Sequence, residues 1–491
     1  MRSSRLPLFA LSFLVFLRPF GSAQQAGTLA PLVQNYVRVN APKVILQHVR
    51  VIDGTGRASQ QDQNIVIEHG KITSVEASSD VPATQGGTVL DLRGYTVMPG
   101  IVGMHNHLFY ISRPNFKADW SWEEPLLVPQ MTFSAPRLYL AAGVTTMRTT
   151  GSVETYADLN LKRKIDDGKL PGPHIDVTGP YLEGPNSFAL QMHELSGPDE
   201  ARQMVNYWAD RGATSFKAYM NITRAELKAA IEEAHKRSIK VTGHLCSVTY
   251  KEAAELGIDD LEHGFFVNTQ LDPEKKPDVC SASEGDYTLE HMDPNGPEAK
   301  DLIQTLVTHH VAVTSTLPVF ETSLPGRPPL QQRVLDVMTA EARAAYLYFR
   351  SQRTVKEPPK GDPAELFKRD MQLERAFAAA GGLLLAGPDP TGNGATVPGF
   401  GDQRGIELLV EAGFSPLEAI KIATLNGATY MGKQNQIGSI AAGKNADLVV
   451  IKGDPATHIA DVENVEIVFK DGIGYDSKKL IDSVKGRYGQ Y

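Results

Sequence analysis

Two histidines separated by one residue follow a buried-looking apolar run and have the spacing of a metal-chelating pair. The run from Val97 to Met104 leads directly into His105, Asn106 and His107. On a strand, residues i and i+2 share a face, so both imidazoles would point one way and Asn106 the other. Two neutral imidazoles on one face can bind a single divalent cation. A pair of this kind also occurs by chance, so it is weak evidence when taken alone.

Four more side chains suited to a metal site end later apolar runs: Lys217, His244, His263 and Asp389. A buried lysine ammonium is costly unless it is paired or chemically modified. Taken singly, each residue has a plainer explanation as a core histidine or as a loop aspartate that caps a helix. Their shared placement at the ends of apolar runs favours one common site.

The apolar runs alternate with helix-length amphipathic segments from about residue 97 to residue 432. Parallel strands buried on both faces have this continuous apolar character. About eight successive strand–helix units predict an α/β fold of the (β/α)8 TIM-barrel type, with catalytic side chains at the carboxyl ends of the strands. The predicted strands are 97–102, 144–148, 174–178, 215–219, 240–243, 260–263, 311–315 and 383–386, and the clearest predicted helices are 224–237, 250–256 and 364–380.

Both ends of the chain carry short strand-like segments separated by turn signals, and helical periodicity is absent there. These segments are 43–51, 64–68, 71–75, 446–451 and 465–470. Short runs rich in β-branched residues and bounded by Asp-Gly or His-Gly turns indicate an antiparallel sheet. We predict a small β-sandwich domain formed from residues 24–96 and 436–491, beside a barrel domain of residues 97–435.

The first residues have the pattern of a secretory signal peptide, predicted to span residues 1–23. Arg2 and Arg5 precede the apolar stretch 6–17, and the small residues 21–23 provide a cleavage site. The alternative is an uncleaved membrane anchor, although the apolar stretch is short for a bilayer. We expect a secreted or periplasmic protein that has no membrane contact after cleavage.

The composition is that of a large globular protein with an acidic surface. The 491 residues include 57 Asp and Glu against 49 Lys and Arg, which gives a net charge of −8. This balance argues against a nucleic-acid partner, which requires a basic face. The two cysteines, Cys246 and Cys280, cannot form a disulfide framework, although one bridge between them is open. The aperiodic segment 267–297 is predicted to be a long loop on the catalytic face or a surface insertion without a role.

These motifs together resemble the amidohydrolase superfamily, and within it the imidazolonepropionase-like and Xaa-Pro or Xaa-Arg dipeptidase-like members. The resemblance covers nearly the whole chain after the leader. Besides the six side chains above, it rests on the stretches 53–56, 97–107, 142–148, 423–428 and 438–448. It implies the barrel fold predicted above and a metal-dependent hydrolase that acts on carbon–nitrogen amide bonds.

The resemblance also implies roles for the six side chains in a site with two divalent metal ions, for which zinc suits the ligand types. His105, His107 and Asp389 would hold the first ion, and His244 and His263 the second. Lys217, carboxylated by CO₂ on its Nζ, would bridge the two ions as a carbamate. A hydroxide that bridges the ions would attack the carbonyl, with Asp389 as general base and then general acid.

Substrate-binding residues are harder to assign from the sequence. Tyr219 lies two positions after Lys217 and would face the same barrel mouth, where it could hydrogen-bond a carbonyl or an oxyanion. Dipeptidase-like relatives follow this tyrosine with an arginine for the substrate carboxylate, and Arg224 is the nearest match. Arg224 could equally begin a surface helix capped by Thr223. His193, in the loop after the third strand, is a further possibility, although that loop lacks the Gly-Gly-His sequence of the family.

Three functions, two enzymatic and one non-catalytic, follow from these patterns. The first is binuclear hydrolysis of a dipeptide or N-acyl amino acid, that is, of a small-molecule or short-peptide amide. The second is hydrolysis of a cyclic amide or lactone, or deamination at a mononuclear site, and Lys217 favours the binuclear form. The third is a non-catalytic binding protein on the same scaffold, which would be expected to lose ligands that this chain keeps. Family resemblance makes a homo-oligomer plausible.

Overall fold

The protein is built on two large sheets, a barrel of eight parallel strands and a nine-stranded sheet in which most neighbouring strands are antiparallel. The computed structural model describes residues 29–78, 87–113, 115–116, 119, 121–355, 362–391 and 396–489. The leader predicted at residues 1–23 lies outside these ranges. Within them, no helix combines the length and the apolar character needed to cross a bilayer.

Eight parallel strands form the barrel, in the same order in space as along the chain. They are Ile101–Asn106, Val144–Thr149, His174–Leu182, Ser215–Ala218, Lys240–Gly243, Asp260–Glu262, Ala312–Ser315 and Leu384–Ala386. The last strand approaches the first where the backbone N–H of Asp389 donates to the carbonyl of His105 at 3.1 Å. The prediction of a (β/α)8 barrel from apolar runs is therefore confirmed.

Helices alternate with these strands and cover the outside of the barrel. The longer helices are Thr155–Asp166, Pro198–Ala209, Arg224–Lys236, Pro297–Thr308, Ala340–Val355, Pro363–Ala379 and Phe400–Glu411. Shorter ones include Ala135–Ala141, Tyr250–Leu256, Asp286–His291, Leu317–Glu321, Gln332–Val337, Pro416–Lys421 and Ser477–Asp482. Local sequence sets their starts. Thr223, for example, accepts a hydrogen bond from the Glu226 N–H, and the Glu226 carboxylate accepts one from the Thr223 N–H.

The second sheet has nine strands that come from both ends of the chain. They are Val37–Val39, Lys43–Val51, Gln60–Glu68, Lys71–Ala77, Thr88–Asp91, Tyr95–Pro99, Leu448–Lys452, Val465–Lys470 and Ile473–Asp476. A β-domain assembled from both termini was expected from the sequence, and its strands are hydrogen-bonded into one continuous sheet.

The first barrel strand begins later than the apolar run predicts. Tyr95–Pro99 pairs antiparallel with Leu448–Lys452 in the nine-stranded sheet, and the barrel strand starts at Ile101. The chain changes sheets at Gly100, whose N–H donates to the carbonyl of Asp447 at 2.8 Å. An uninterrupted apolar run shows that a segment is buried, but it does not show which sheet the segment joins.

Gly387 allows the barrel to close next to the first histidine. A Cβ atom at this position would lie 2.2 Å from the backbone nitrogen of His105 and 2.5 Å from its Cβ. Neither neighbour can move without displacing the first strand. Where two backbones approach each other this closely, only glycine fits, because it has no Cβ atom.

We therefore expect Gly387→Ala to lower the free energy of unfolding by about 3 kcal/mol or more, because the added methyl overpacks the joint. Gly405→Ala is the matched control. Its Cβ would lie 3.5 Å from Pro318 Cγ, an ordinary contact, within the helix Phe400–Glu411. The control should gain about 0.5–1 kcal/mol from helix propensity. Urea unfolding of the metal-free proteins measures both, and equal stability of Gly387→Ala and wild type would contradict the clash.

Candidate metal centre

His105, His107 and Asp389 meet at the carboxyl end of the first and last barrel strands. Each offers one ligand atom, and the three atoms lie within 4.8 Å of one another. Asp389 Oδ1 is 3.1 Å from His107 Nε2 and 3.6 Å from His105 Nε2. All three residues are buried. The structure therefore places together the side chains predicted for the first metal.

Lys217, His244 and His263 extend this group across the barrel mouth. Lys217 Nζ lies 3.3 Å from His105 Nε2. The ring of His263 is 4.6 Å from that of His105 and 4.3 Å from that of His244, measured between centroids. The six predicted side chains thus form one continuous cluster, which five strands of the barrel contribute.

Left-handed backbone at two strand ends turns key side chains toward the cluster. His263 has φ of 72° and Asp389 has φ of 50°. Consecutive residues of a regular strand point to opposite faces. Because His263 leaves the strand conformation, it and its neighbour Glu262 both reach His105. Non-glycine residues in this region are uncommon, and strain of this kind concentrates at functional sites.

Burial keeps the imidazole ligands uncharged. It lowers the pKa of His105 well below its usual range, and the nearby Lys217 ammonium adds to this effect. The same two causes lower the pKa of His244 to about 3. Burial also lowers the pKa of Lys217 to about 8. For Asp389, burial favours the neutral acid, but His105, His107 and Lys217 outweigh it and hold its pKa below the usual range.

The residues fit a divalent metal by their unsatisfied atoms as well as by their types. His263 Nδ1 is 2.9 Å from Thr316 Oγ1, whereas its Nε2 is buried and has no hydrogen-bond partner among the described residues. Asp389 Oδ1 is also buried, and it lies 3.1 Å from His107 Nε2 without a well-aligned hydrogen bond among the described residues. A buried polar atom without a partner costs about 1–3 kcal/mol. A cation bound to imidazole nitrogens and a carboxylate oxygen would satisfy both.

Three charged residues below the histidines were not assigned a role from the sequence. Glu262 Oε2 lies 2.6 Å from His105 Nδ1. Arg148 Nη2 donates to Glu262 Oε1 and to Asp260 Oδ2, each at 2.7 Å. All three side chains are almost completely buried inside the barrel. A signal was available in the sequence, because Asp260 and Glu262 occupy alternate positions of a buried strand and so require a cation on one shared face.

Tyr219 lines the mouth beside the cluster, as its offset from Lys217 predicts. Its ring centroid is 4.8 Å from that of His244 and 5.0 Å from that of Tyr181. Lys217 Nζ lies 5.4 Å from the same ring. Burial raises the pKa of Tyr219, so its hydroxyl keeps the proton that a hydrogen bond to substrate requires.

Arg224 and His193 already have protein partners. Arg224 Nε donates to Asp278 Oδ1 at 3.0 Å, and Arg224 Nη1 donates to Glu252 at 3.2 Å. It also begins the helix Arg224–Lys236, the second possibility that the sequence allowed. His193 Nε2 lies 2.8 Å from Glu200 Oε1, and its side chain is 57% exposed. The role of both residues in substrate binding stays a prediction.

The segment 267–297 is tied to the fifth strand end instead of extending freely from it. Cys246 and Cys280 form a disulfide, which answers the question left by the sequence. Thr269 Oγ1 donates to the carbonyl of Cys246 at 3.0 Å. The segment, predicted to be a long loop, contains the short helix Asp286–His291. Since Cys246 follows His244 by two residues, these contacts anchor the segment next to a predicted ligand.

Arg224→Ala should show whether Arg224 holds Asp278 in place or binds the substrate carboxylate. Because the guanidinium holds Asp278, we expect the substitution to lower Tm by about 1–3 °C, the effect of losing a partly exposed ion pair. KM for substrates with a free carboxylate should change less than about threefold. Asp278→Asn, which removes the same tether but keeps Arg224, is the control. A rise in KM confined to substrates with a free carboxylate would instead establish the carboxylate-binding role.

Comparison with solved structures supports the fold described above. A Xaa-Pro dipeptidase with bound methionine is 20% identical, with a TM-score of 0.64 over 88% of this chain and 100% of that one. Bottromycin amidohydrolase is 22% identical, with a TM-score of 0.64 over 93% and 92%. An ochratoxinase from A. niger is 17% identical, with a TM-score of 0.61 over 89% and 96%. At these identities the likeness concerns the fold alone.

Similarity to curated sequences is confined to short segments. Adenine deaminase 1 of Jannaschia sp. is 39% identical over 49 residues, which are 10% of this chain and 8% of that protein. Imidazolonepropionase of Idiomarina loihiensis is 39% identical over 64 residues, which are 13% of this chain and 16% of the relative. The matched segments thus span less than a fifth of these relatives.

A family profile covers far more of the chain. The Amidohydrolase family matches residues 96–327 and 399–473, more than half of the sequence. The first range contains five of the six clustered side chains, and Asp389 lies between the two ranges. Together with the barrel and the buried histidines, this match shows that the chain belongs to the amidohydrolase family.

Proposed function

We propose that the protein is an exported hydrolase that uses two divalent metal ions to cleave the amide bond of a dipeptide or an N-acyl amino acid. The observation that carries this proposal is the cluster of His105, His107 and Asp389 within 4.8 Å, with Lys217, His244 and His263 beside it. The ions, zinc by preference for these ligands, would lower the pKa of a bound water and polarise the scissile carbonyl.

Asp389 is the proton carrier in this proposal. Its carboxylate is ionised, since its pKa lies below the usual range, and it is placed between His105 and His107. It accepts a proton from the attacking water as the water oxygen bonds to the carbonyl carbon. It then delivers this proton to the amine nitrogen as the carbon–nitrogen bond breaks. The side chain is 11% exposed, which leaves it a route to a substrate in the mouth.

Lys217 is proposed to carry a carboxyl group on Nζ. Only a neutral amine reacts with CO₂, and burial lowers the pKa of Lys217 to about 8. About one molecule in ten is then neutral at pH 7. In the reaction the amine nitrogen bonds to the carbon of CO₂ and loses a proton. The product replaces a buried cation with an anion among four imidazoles. The negative charge of this carbamate would help to balance the charge of two dications.

The proposed substrate class is supported by the chemistry of the barrel mouth. Tyr219 offers a phenol hydroxyl next to His244 and can donate to the carbonyl or oxyanion of a bound amide. The name of the structurally similar Xaa-Pro dipeptidase supports a peptide substrate for this chain.

Export is supported by the leader sequence and by the cysteines. A disulfide joins Cys246 to Cys280, and structural disulfides persist mainly in oxidising compartments. The segment that this bridge anchors lies beside the predicted metal ligand His244. A secreted or periplasmic location therefore agrees with the way the rim is held.

Asp389→Asn tests the proposed chemistry. The zinc-reconstituted protein is first screened against dipeptide and N-acyl amino acid libraries to find a substrate. We expect the substitution to lower kcat by about 10²–10⁴-fold, because the amide cannot carry the proton. Asp158→Asn is the control, since Asp158 is a buried aspartate bonded to Ser152, outside the cluster. Full activity of Asp389→Asn, or an inactive wild type that is loaded with metal, would contradict the proposal.

The carbamate has its own test. Zinc-loaded protein equilibrated with ¹³C-bicarbonate should show one carbamate resonance, which disappears in Lys217→Met because no amine remains. Lys470→Met should keep the resonance. Lys470 is a second buried lysine, and its Nζ donates to the carbonyl of Gly172, away from the cluster. One bound metal per chain without a carbamate signal would favour the mononuclear alternative.

A further inference from the structure

We infer that Glu262 is a positioning residue that makes His105 a metal ligand by fixing which ring nitrogen carries the proton. A neutral imidazole has one N–H and one lone pair, and only the nitrogen with the lone pair can bind a metal. The inference rests on the metal dependence in the proposed function but not on any particular substrate.

The contact between Glu262 and His105 leaves one arrangement of the proton. Glu262 Oε2 and His105 Nδ1 are 2.6 Å apart, and both side chains are 0% exposed. The Glu262 carboxylate is paired with the Arg148 guanidinium through Oε1, so its Oε2 accepts and Nδ1 donates. The lone pair is then on Nε2, which lies 3.3 Å from Lys217 Nζ and 3.6 Å from Asp389 Oδ1. The nitrogen made free is therefore the one that faces the cluster.

Glu262 is itself held in place from the other side. Its Oε1 accepts hydrogen bonds from Arg148 Nη2, at 2.7 Å, and from the Thr242 hydroxyl. Arg148 supplies the positive charge that a buried carboxylate requires. Its Nε also donates to the carbonyl of Met104, at 2.9 Å, on the strand that carries His105. Orientation thus passes from Arg148 through Glu262 to the imidazole.

These two donors decide how a glutamine would sit in the same place. In Glu262→Gln, the side-chain oxygen must face Arg148, because a guanidinium can only donate hydrogen bonds, and the Thr242 hydroxyl can donate to the same oxygen. The NH₂ group must then face His105 Nδ1, which would have to accept. The proton of the imidazole moves to Nε2, and the nitrogen that faces the cluster loses its lone pair.

Asp260 provides a matched control within the same network. Asp260 Oδ2 accepts from Arg148 Nη2 at 2.7 Å, the same distance as for Glu262, and Asp260 also accepts from Thr314 Oγ1. Among the described side chains, Asp260 contacts Arg148, Thr242 and Thr314 and makes no hydrogen bond to His105. Asp260→Asn therefore weakens the pairing of Arg148 with a carboxylate, as Glu262→Gln does, but leaves the proton on His105 Nδ1.

The test measures the affinity for Zn²⁺ by competition with a chromogenic chelator. We expect Glu262→Gln to bind the tighter ion about 10–100-fold more weakly than wild type. Asp260→Asn should remain within about threefold of wild type. Tm of the metal-free proteins reports the cost of the disturbed network, which both variants share. Glu262→Asp restores an acceptor at shorter reach, and we expect an affinity between those of wild type and Glu262→Gln.

Several results would overturn the inference. They are an affinity of Glu262→Gln within threefold of wild type, an equal loss in Asp260→Asn, and a wild type that does not bind Zn²⁺. If Glu262→Gln does not fold, the comparison of Glu262→Asp with Asp260→Asn decides, and equal affinities reject the role. Failure of the proposed function is a separate result, since a wild type that binds Zn²⁺ but cleaves no amide leaves the role of Glu262 intact.

Discussion

The buried guanidinium of Arg148 is the interaction on which the interior of the barrel depends. Two carboxylates, Asp260 and Glu262, lie on one strand inside the barrel with no exposed surface. Isolated burial of either charge would cost several kcal/mol. Burial opposes the charge of Arg148 as well, but Glu262 and Asp260 more than offset this and raise its pKa. Without this cation, the strand that presents His263 could not also carry two acids.

Around this network the barrel satisfies two opposing requirements. It must hold imidazoles in a fixed orientation, and it must leave their inner nitrogens unbonded. For two of the ligands the outer nitrogen is held, His105 Nδ1 by Glu262 and His263 Nδ1 by Thr316. At two strand ends, the left-handed backbone of His263 and Asp389 directs the side chain toward the cluster. The hydrogen bonds that fix these two imidazoles from behind therefore leave the nitrogens that face the cluster available to a metal.

The parts of the fold that repeat were predictable from the sequence. Each barrel strand is largely buried on both faces, so it appears in the sequence as an apolar run whatever strand it pairs with. The predicted metal ligands could be found because each of them lies at or just after the carboxyl end of such a run. Pairing across long distances was not predictable in this way. Nothing local marks Tyr95–Pro99 as the partner of Leu448–Lys452, or Asp278 as the partner of Arg224. The contact of Glu262 with His105 was not predictable either, because Glu262 directly precedes His263 and a regular strand would point the two side chains to opposite faces.

The shared sheet also has a consequence for the order in which the chain can fold. The strand Tyr95–Pro99 lies directly before the barrel, yet one of its edges is covered only by Leu448–Lys452, after the barrel. The ribosome synthesises Tyr95–Pro99 long before Leu448–Lys452. This edge of Tyr95–Pro99 therefore stays unpaired while all the barrel strands are synthesised. Contacts that distant in sequence form late and slowly. Unpaired edges invite association with other chains, and the nascent protein therefore needs protection at its amino-terminal sheet more than at its barrel.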